Sequence, residues 1–454
     1  MTHSGQATSA ERRSLDREIL RLAVPAFLAL VAEPVFLLSD AAIVGHLGTP
    51  QLAGLGIAGA VLQTAVGLCV FLAYGTTAAV ARRIGAGDTR GALEQGVDGV
   101  WLALLIGSLV TVAGVLGSTW LTGLFGAGSE VTDHAATYLR IAVLGMVPLL
   151  VMLATTGILR GLQDTTTPLI VAVLGNVANI GLNFALVYGL DLGLAGSALG
   201  SVLAQVGSAA ALLAVVVRAA RRERASLRPD LAGVRRAASA GAALVVRTLT
   251  LRASVLVMTY GAATLGATSV ATHQLAITVW TALSLALDAI AIAAQAIVGR
   301  TLGAGSIPAA LEVTWRMVRW GVVSGVVTGV GLAAASPVLG RVFTTDPEVR
   351  DLLVPVLVAA AIFQPVAGVV FVLDGVLIGA GDGRYLAWGG LFVLTVFTPL
   401  VWLAVEVGTY GAQPWGADTT LVWLWVVFGI GFVGSRAAVV VRRARGRSWM
   451  VTGT

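Results

Sequence analysis

Two carboxylates stand where a bilayer would be expected to forbid them. Glu33 and Asp40 lie in PAFLALVAEPVFLLSDAAIVGHLG, residues 25–48, a stretch apolar enough to cross a membrane. An ionised carboxylate at bilayer depth costs several kcal/mol, so such residues are rare and mark ion or proton pathways. Seven residues of helix turn about 700°, which sets the two acids on one face roughly 10 Å apart along the axis. Pro25 and Pro34 free backbone carbonyls in the same helix and favour a bend near the acids. The chemistry this combination offers is uptake and release of a proton or a small cation. In an apolar pocket the charged form of Asp40 is disfavoured, so it can exchange a proton near neutral pH. The alternative is a carboxylate that reaches the outer interface or pairs with an arginine, and for Glu33 a packing acid held protonated.

Amides and hydroxyls could complete such a site. Asn176, Asn179 and Asn183 lie on VLGNVANIGLNFALV at spacings of three and four, which stacks them on one helical face. Ser201 and Gln205 follow at i, i+4 in the next apolar run. Amides satisfy a carboxylate in either charge state or offer oxygen to a cation, although the same residues also serve as hydrogen-bond glue between helices. The second half carries Arg247, Arg252, Asp288, Gln295 and Asp374 in apolar runs. An arginine buried beside an aspartate there would be a neutralising pair or a substrate contact. Arg140 is expected to reach the outer interface. The four histidines, His3, His46, His134 and His273, fall mostly in loops or at helix ends without metal-ligand spacing. No Walker sequence, nucleophile elbow or HExxH is present, which argues against an enzyme or ATPase and leaves an ion gradient as energy source. No cofactor is expected beyond H⁺ or Na⁺ as coupling ion, and the alternative ion, Na⁺, would sit at Asp40 and Asn179.

These residues need helices in a bilayer to position them, and the composition supplies them. Of 454 residues, 57% are hydrophobic and 11% charged, with a mean hydropathy of +0.90, against about 25% charged in soluble domains. All 29 basic residues are arginine. The pI of 10.2 then reflects membrane topology and not nucleic-acid binding. Cys69 is expected to be a buried free thiol. No signal peptide is expected, because residues 1–20 are polar and lead straight into a span. At about 20 apolar residues per span the chain reads as twelve, over 20–46, 52–81, 99–125, 135–159, 167–190, 192–217, 237–264, 268–299, 320–340, 352–378, 385–405 and 415–435. Alternate connections are rich in arginine: the N-terminus with Arg12, Arg13 and Arg17, then 82–95, Arg160, 218–236, 300–319, Arg384 and the tail. That pattern predicts both termini in the cytoplasm; Arg341 and Arg350 interrupt it.

The sequence repeats itself. Leu47-Gly48 matches Leu265-Gly266, Gly85-Ala86-Gly87 matches Gly303-Ala304-Gly305, Ala92-Leu93-Glu94 matches Ala310-Leu311-Glu312, and Phe125 matches Phe343. Gly157, Gly161 and Asp164 match Gly375, Gly379 and Asp382, all at an offset of 218 residues. An ungapped offset across an even number of spans predicts a parallel repeat about an axis along the membrane normal. The expected organisation is a cytoplasmic N-terminus (1–19), a six-helix lobe (20–217), an arginine-rich linker (218–236), a second six-helix lobe (237–441) and a cytoplasmic tail (442–454). Asp40 and Glu33 map onto Met258 and Leu251, so the repeated fold itself does not demand the acids.

Span 1 with P-x8-P-x5-D-x4-GHLG, Arg247-Thr248-Leu249, LALDAIAIAAQAIVGRTLGAG (285–305) and VLDGVLIGAGD (372–382) together resemble the multidrug and toxic compound extrusion (MATE) family, in its DinF-like branch. The resemblance runs from about residue 18 to 440. It implies an all-α, twelve-helix, two-lobe antiporter that exports small organic compounds, cationic or amphipathic, in exchange for H⁺ or Na⁺. It also implies Asp40 as the essential span-1 carboxylate, Asn179 as its span-5 partner, Ser201 where many relatives carry Thr, and Pro25 as the proline at which span 1 bends. Many relatives have Asp where this chain has Asn183, and loss of that charge favours H⁺ over Na⁺. The expected setting is the inner or cytoplasmic membrane, as a monomer with no nucleic-acid partner. The alternative is a flippase for lipid-linked precursors from the same superfamily.

Overall fold

The computed structural model describes residues 9–411 and 414–453. His3 lies outside the described residues, as does the side chain of Arg12. The described residues are almost all helical, with no strand. Twelve spans follow in order: α1 (Ser9–Gly45), α2 (Thr49–Gly85), α3 (Thr89–Gly123), α4 (Ser129–Gly161), α5 (Thr166–Gly189) and α6 (Gly193–Arg222), then α7 (Leu231–Ala263), α8 (Ala267–Gly303), α9 (Ile307–Phe343), α10 (Pro347–Ile362 and Gln364–Gly379), α11 (Gly383–Tyr410) and α12 (Ala417–Arg445). Eleven are single apolar helices and α10 is a pair bent by 49°. The bend falls where Pro365 withholds an N–H and restricts the residue before it. At 37 residues α1 is about 55 Å long, more than the roughly 30 Å hydrocarbon layer needs, so these helices extend beyond the core of a bilayer.

Contacts within each half repeat with the sequence. On α4, Gly157 has no room for a Cβ against Ala73 on α2, and on α10 Gly375 has none against Ala291 on α8. One turn on, Gly161 abuts the Thr77 carbonyl and Gly379 the Gln295 carbonyl. Each pair of contacts is displaced by the same 218 residues. Small residues let membrane helices approach to backbone contact, so the glycines record which helix faces meet. Gly87 and Gly305, also repeat partners, have φ of 79° and 77°, which close the turns after α2 and α8 in a conformation that other residues rarely adopt.

The chain forms two compact units. One holds Leu20–Gly241, Gly299–Gly305 and Thr452–Thr454; the other holds Met1–Ile19, Ala242–Val298 and Ser306–Val451. In the first, the end of α8 packs on the end of α2 reciprocally: a Cβ on Gly85 would strike the Arg300 carbonyl, and one on Gly303 the Arg82 carbonyl. Much of the stretch read from sequence as linker is helical, since α6 continues to Arg222 and α7 starts at Leu231. The irregular remainder is held on α3. Glu94 accepts from Ser226 N (3.1 Å), Asp98 accepts from Asp230 N (2.9 Å), and Trp101 Nε1 donates to the Leu227 carbonyl (3.1 Å). Cys69 is a buried free thiol at the interruption of α2.

Candidate ion-coupling site

α1 and α5 run side by side in the same sense within the first unit, joined by polar contacts at three levels. Asn176 Nδ2 donates to the Ala32 carbonyl (2.7 Å), Asn183 Nδ2 donates to Asp40 Oδ1, and the Tyr188 hydroxyl donates to the Ile43 carbonyl (2.7 Å). The α-helical part of α5 ends at Asn183 and is followed by a π-helical turn over Phe184–Gly189. Such turns are rare and recur at functional sites.

The middle level is a closed polar cluster. Asp40 is 3% exposed, Ser201 5%, and Asn179 and Asn183 are fully buried. Asp40 Oδ2 accepts from Ser201 Oγ (3.1 Å), and Asn179 Nδ2 donates to that same hydroxyl oxygen (3.0 Å). The Asn183 carbonyl oxygen has no partner, although it is buried. Asp40 is the one carboxylate in this network, so its charge is met by neutral donors from α5 and α6 and by no cation. Four residues singled out by spacing, Asp40, Asn179, Asn183 and Ser201, therefore come together.

The other candidates go elsewhere. Glu33 is exposed; Asp40 faces inward, so the seven-residue spacing did not set both acids into one pocket. Gln205 lies against Gly145, with its side-chain oxygen buried and without a partner. Pro25 sits inside a continuous α1. Arg140 donates to the hydroxyls of Ser118 (2.8 Å) and Thr119 (2.9 Å) on α3. His273 corrects the reading that the histidines mostly lie in loops or at helix ends: it is fully buried in α8, with Nε2 3.0 Å from Thr259 Oγ1.

In the second unit Arg247 pairs with Asp374, as a neutralising pair would. Arg436 on α12 reaches the same carboxylate oxygen at 3.4 Å and lies over the Phe432 ring, 5.5 Å from its centroid. Sequence reading missed Arg436 because it falls just past the expected span limit at 435 and passes for an interfacial charge, although Ala437–Val441 carry the helix on. It also missed Tyr138, buried on α4 with Asp40, Ser201 and Ser197 as electrostatic neighbours. Nothing in the spacing of one helix shows which residue of another will face it. Asp288 and Gln295 lie on α8, half-buried and buried respectively.

The repeat is chemically one-sided. Its counterparts of Asp40, Asn179 and Asn183 are Met258, Phe397 and Val401, all buried in the apolar core of the second unit.

Comparison with known proteins places this architecture. The MatE family model matches residues 25–185 and again 243–403, two matches displaced by the repeat offset of 218. Protein DETOXIFICATION 44, chloroplastic, of Arabidopsis thaliana is 33% identical over 441 residues, covering 92% of this chain and 82% of that protein. The DNA damage-inducible protein F of Escherichia coli is 29% identical, covering 86% of this chain and 87% of that protein. A probable multidrug resistance protein NorM of Thermotoga maritima is 25% identical, covering 81% and 80%. In fold, the chain superposes on the Vibrio cholerae MATE transporter VcmN, solved in a bent form, with a TM-score of 0.86 at 21% identity over 98% of this chain and 99% of that one. These matches favour export over the flippase alternative. With one family model recurring across both halves and relatives matched over most of their length, the chain belongs to the multidrug and toxic compound extrusion (MATE) family of membrane transporters.

Proposed function

We propose that this protein is an ion-coupled antiporter that expels small organic, cationic or amphipathic compounds by alternating access, with H⁺ as the coupling ion and Asp40 as its carrier. The observation behind the reading is a buried carboxylate surrounded by Asn183 and Ser201 with no second acid beside it. A proton carrier needs one carboxylate. A Na⁺ site is better served by several oxygen ligands and more negative charge, and Asn183 turns its Nδ2 towards Asp40.

The charge states differ in what they ask of the neighbours. Charged, Asp40 accepts from Asn183 and Ser201. Protonated, it has a hydrogen to donate, and the partnerless Asn183 oxygen can take it once the amide turns over. Because α1 carries Asp40 and the bend-prone Pro25, and α5 carries Asn183, a proton taken up here changes the α1–α5 seam. Coupling then follows from unequal proton affinity of the inward- and outward-open states. The arginine distribution supports a setting in the inner or cytoplasmic membrane with both termini in the cytoplasm.

Efflux of a fluorescent organic cation from proteoliposomes tests the reading, with pH and Na⁺ gradients imposed separately. The pH gradient is expected to drive transport in the parent and Asp40→Asn to abolish it. Asn183→Asp, by restoring a second acid, is expected to add stimulation by Na⁺. Parent-level transport by Asp40→Asn under a pH gradient would overturn the assignment.

A further inference from the structure

We infer that the segment after α12 is a strap whose tip, at Gly453, ties the end of α2 to the end of α8 and has to let go before those ends can part. One residue makes both ties. The Gly453 N–H donates to the Leu302 carbonyl on α8 (3.3 Å), and the Gly453 carbonyl accepts from Arg82 Nη2 (2.8 Å) and Nε (3.2 Å) on α2. Two donors of one guanidinium on a single oxygen make a charge-assisted contact, stronger than a neutral one. The backbone favours glycine here, because φ at Gly453 is 92°, in the left-handed region that residues with a Cβ rarely adopt. The approach to the tip is fixed as well. Trp449 is 1% exposed and its Nε1 donates to the Ala444 carbonyl (3.2 Å), and Met450 is 7% exposed.

The repeat explains why a tie is wanted at that place. Arg82 and Arg300 are counterparts at the offset of 218, and so are Gln163 and Gly381. Arg300, at the end of α8, donates from Nη1 to Gln163 Oε1 (2.6 Å) in the turn after α4. The corresponding amide is missing from the second repeat, since Gly381 has no side chain. Arg82 finds an acceptor oxygen on Gly453, so the strap supplies from outside the repeat what a glutamine supplies within it. The joint it spans is one of close approach, with the Arg82 and Arg300 carbonyls against Gly303 and Gly85. A tie made only while the ends are together favours that arrangement by its own free energy. The consequence for transport rests on the alternating access proposed above: a cycle that parts these ends has to release Gly453.

Hydrogen–deuterium exchange of the full chain in detergent tests the strap without substrate or gradient, so its outcome is independent of the coupling assignment. Gly453→Pro removes the N–H and forbids the observed φ, while Arg82→Met keeps the stem and removes the donors on the other side. Each is expected to speed exchange about tenfold at the end of α2 (residues 79–87) and at the end of α8 (residues 297–305). Val451→Ala, at an exposed side chain, is expected to match the parent. The deciding feature is reach: Arg82→Met lies on α2 and is expected to loosen α8. The double variant is expected to exchange no faster than either single one, since both remove the same contact. Faster exchange confined to residues 446–453 in Gly453→Pro, parent-like exchange at the end of α8 in Arg82→Met, or additive effects in the double variant each overturn the proposal.

Discussion

A carboxylate that must change charge inside a protein needs neighbours that tolerate both states, and amides and hydroxyls do so where arginine does not. Asp40 has Asn183 and Ser201; Asp374 has Arg247 and Arg436. The contrast fits Asp40 for exchange and Asp374 for permanent charge. Crowding around Asn183 gives a test that leaves Asp40 untouched. A Cβ on Gly200 would overlap the Asn183 side-chain oxygen, so Gly200→Ala should push the amide off the carboxylate. The expected result is about a tenfold loss of pH-driven efflux, with overpacking lowering stability by about 1–3 kcal/mol, read by proteoliposome transport and thermal melting. At this scale the sequence carried most of the site. Asp40, Asn179, Asn183 and Ser201 stood out because polar residues in apolar runs are conspicuous. Tyr138 and Arg436 did not, since an aromatic in an apolar run and an arginine at a span end look ordinary until another helix is placed against them.

Among the elements, glycine rows determine which helices meet. Gly157 and Gly375 sit where α4 and α10 touch the backbones of α2 and α8, whereas Gly59 has open space around its Cβ position. Gly157→Ala and Gly375→Ala should each lower stability by about 1–3 kcal/mol. Gly59→Ala should be neutral or up to about 1 kcal/mol stabilising, because alanine favours helix. Melting curves in one detergent would show the difference, and equal curves for all three would contradict the packing described. Helix number, order and the repeat were legible because apolar runs and an ungapped offset depend on local composition. The helix limits were less so: α6 and α7 run into the arginine-rich stretch, where hydropathy falls although helical hydrogen bonding continues. The bend of α10 has a visible cause in Pro365, but its 49° angle is a matter of packing.

For the whole molecule, the halves share contacts but not chemistry: Asp40, Asn179 and Asn183 correspond by the repeat offset to Met258, Phe397 and Val401. The connection between the halves is fastened to α3 through Glu94, Asp98 and Trp101, spaced four and three residues apart on one helical face. Releasing it with Glu94→Ala and Asp98→Ala together should loosen the backbone around the exposed Arg224, seen as faster tryptic cleavage of the Arg224–Ala225 bond with the helices intact by circular dichroism. Unchanged cleavage would mean that the clamp is not what orders the segment. The sole thiol has a practical consequence as well. Cys69 is shut away at the interruption of α2, so brief maleimide treatment of the native protein should leave it unmodified. A cysteine introduced at an exposed position, such as Leu38 on α1 or Tyr260 on α7, would then be the one labelled site. Spin- or dye-based distance measurements of the transport cycle could begin from the natural chain, without first removing a residue from its core.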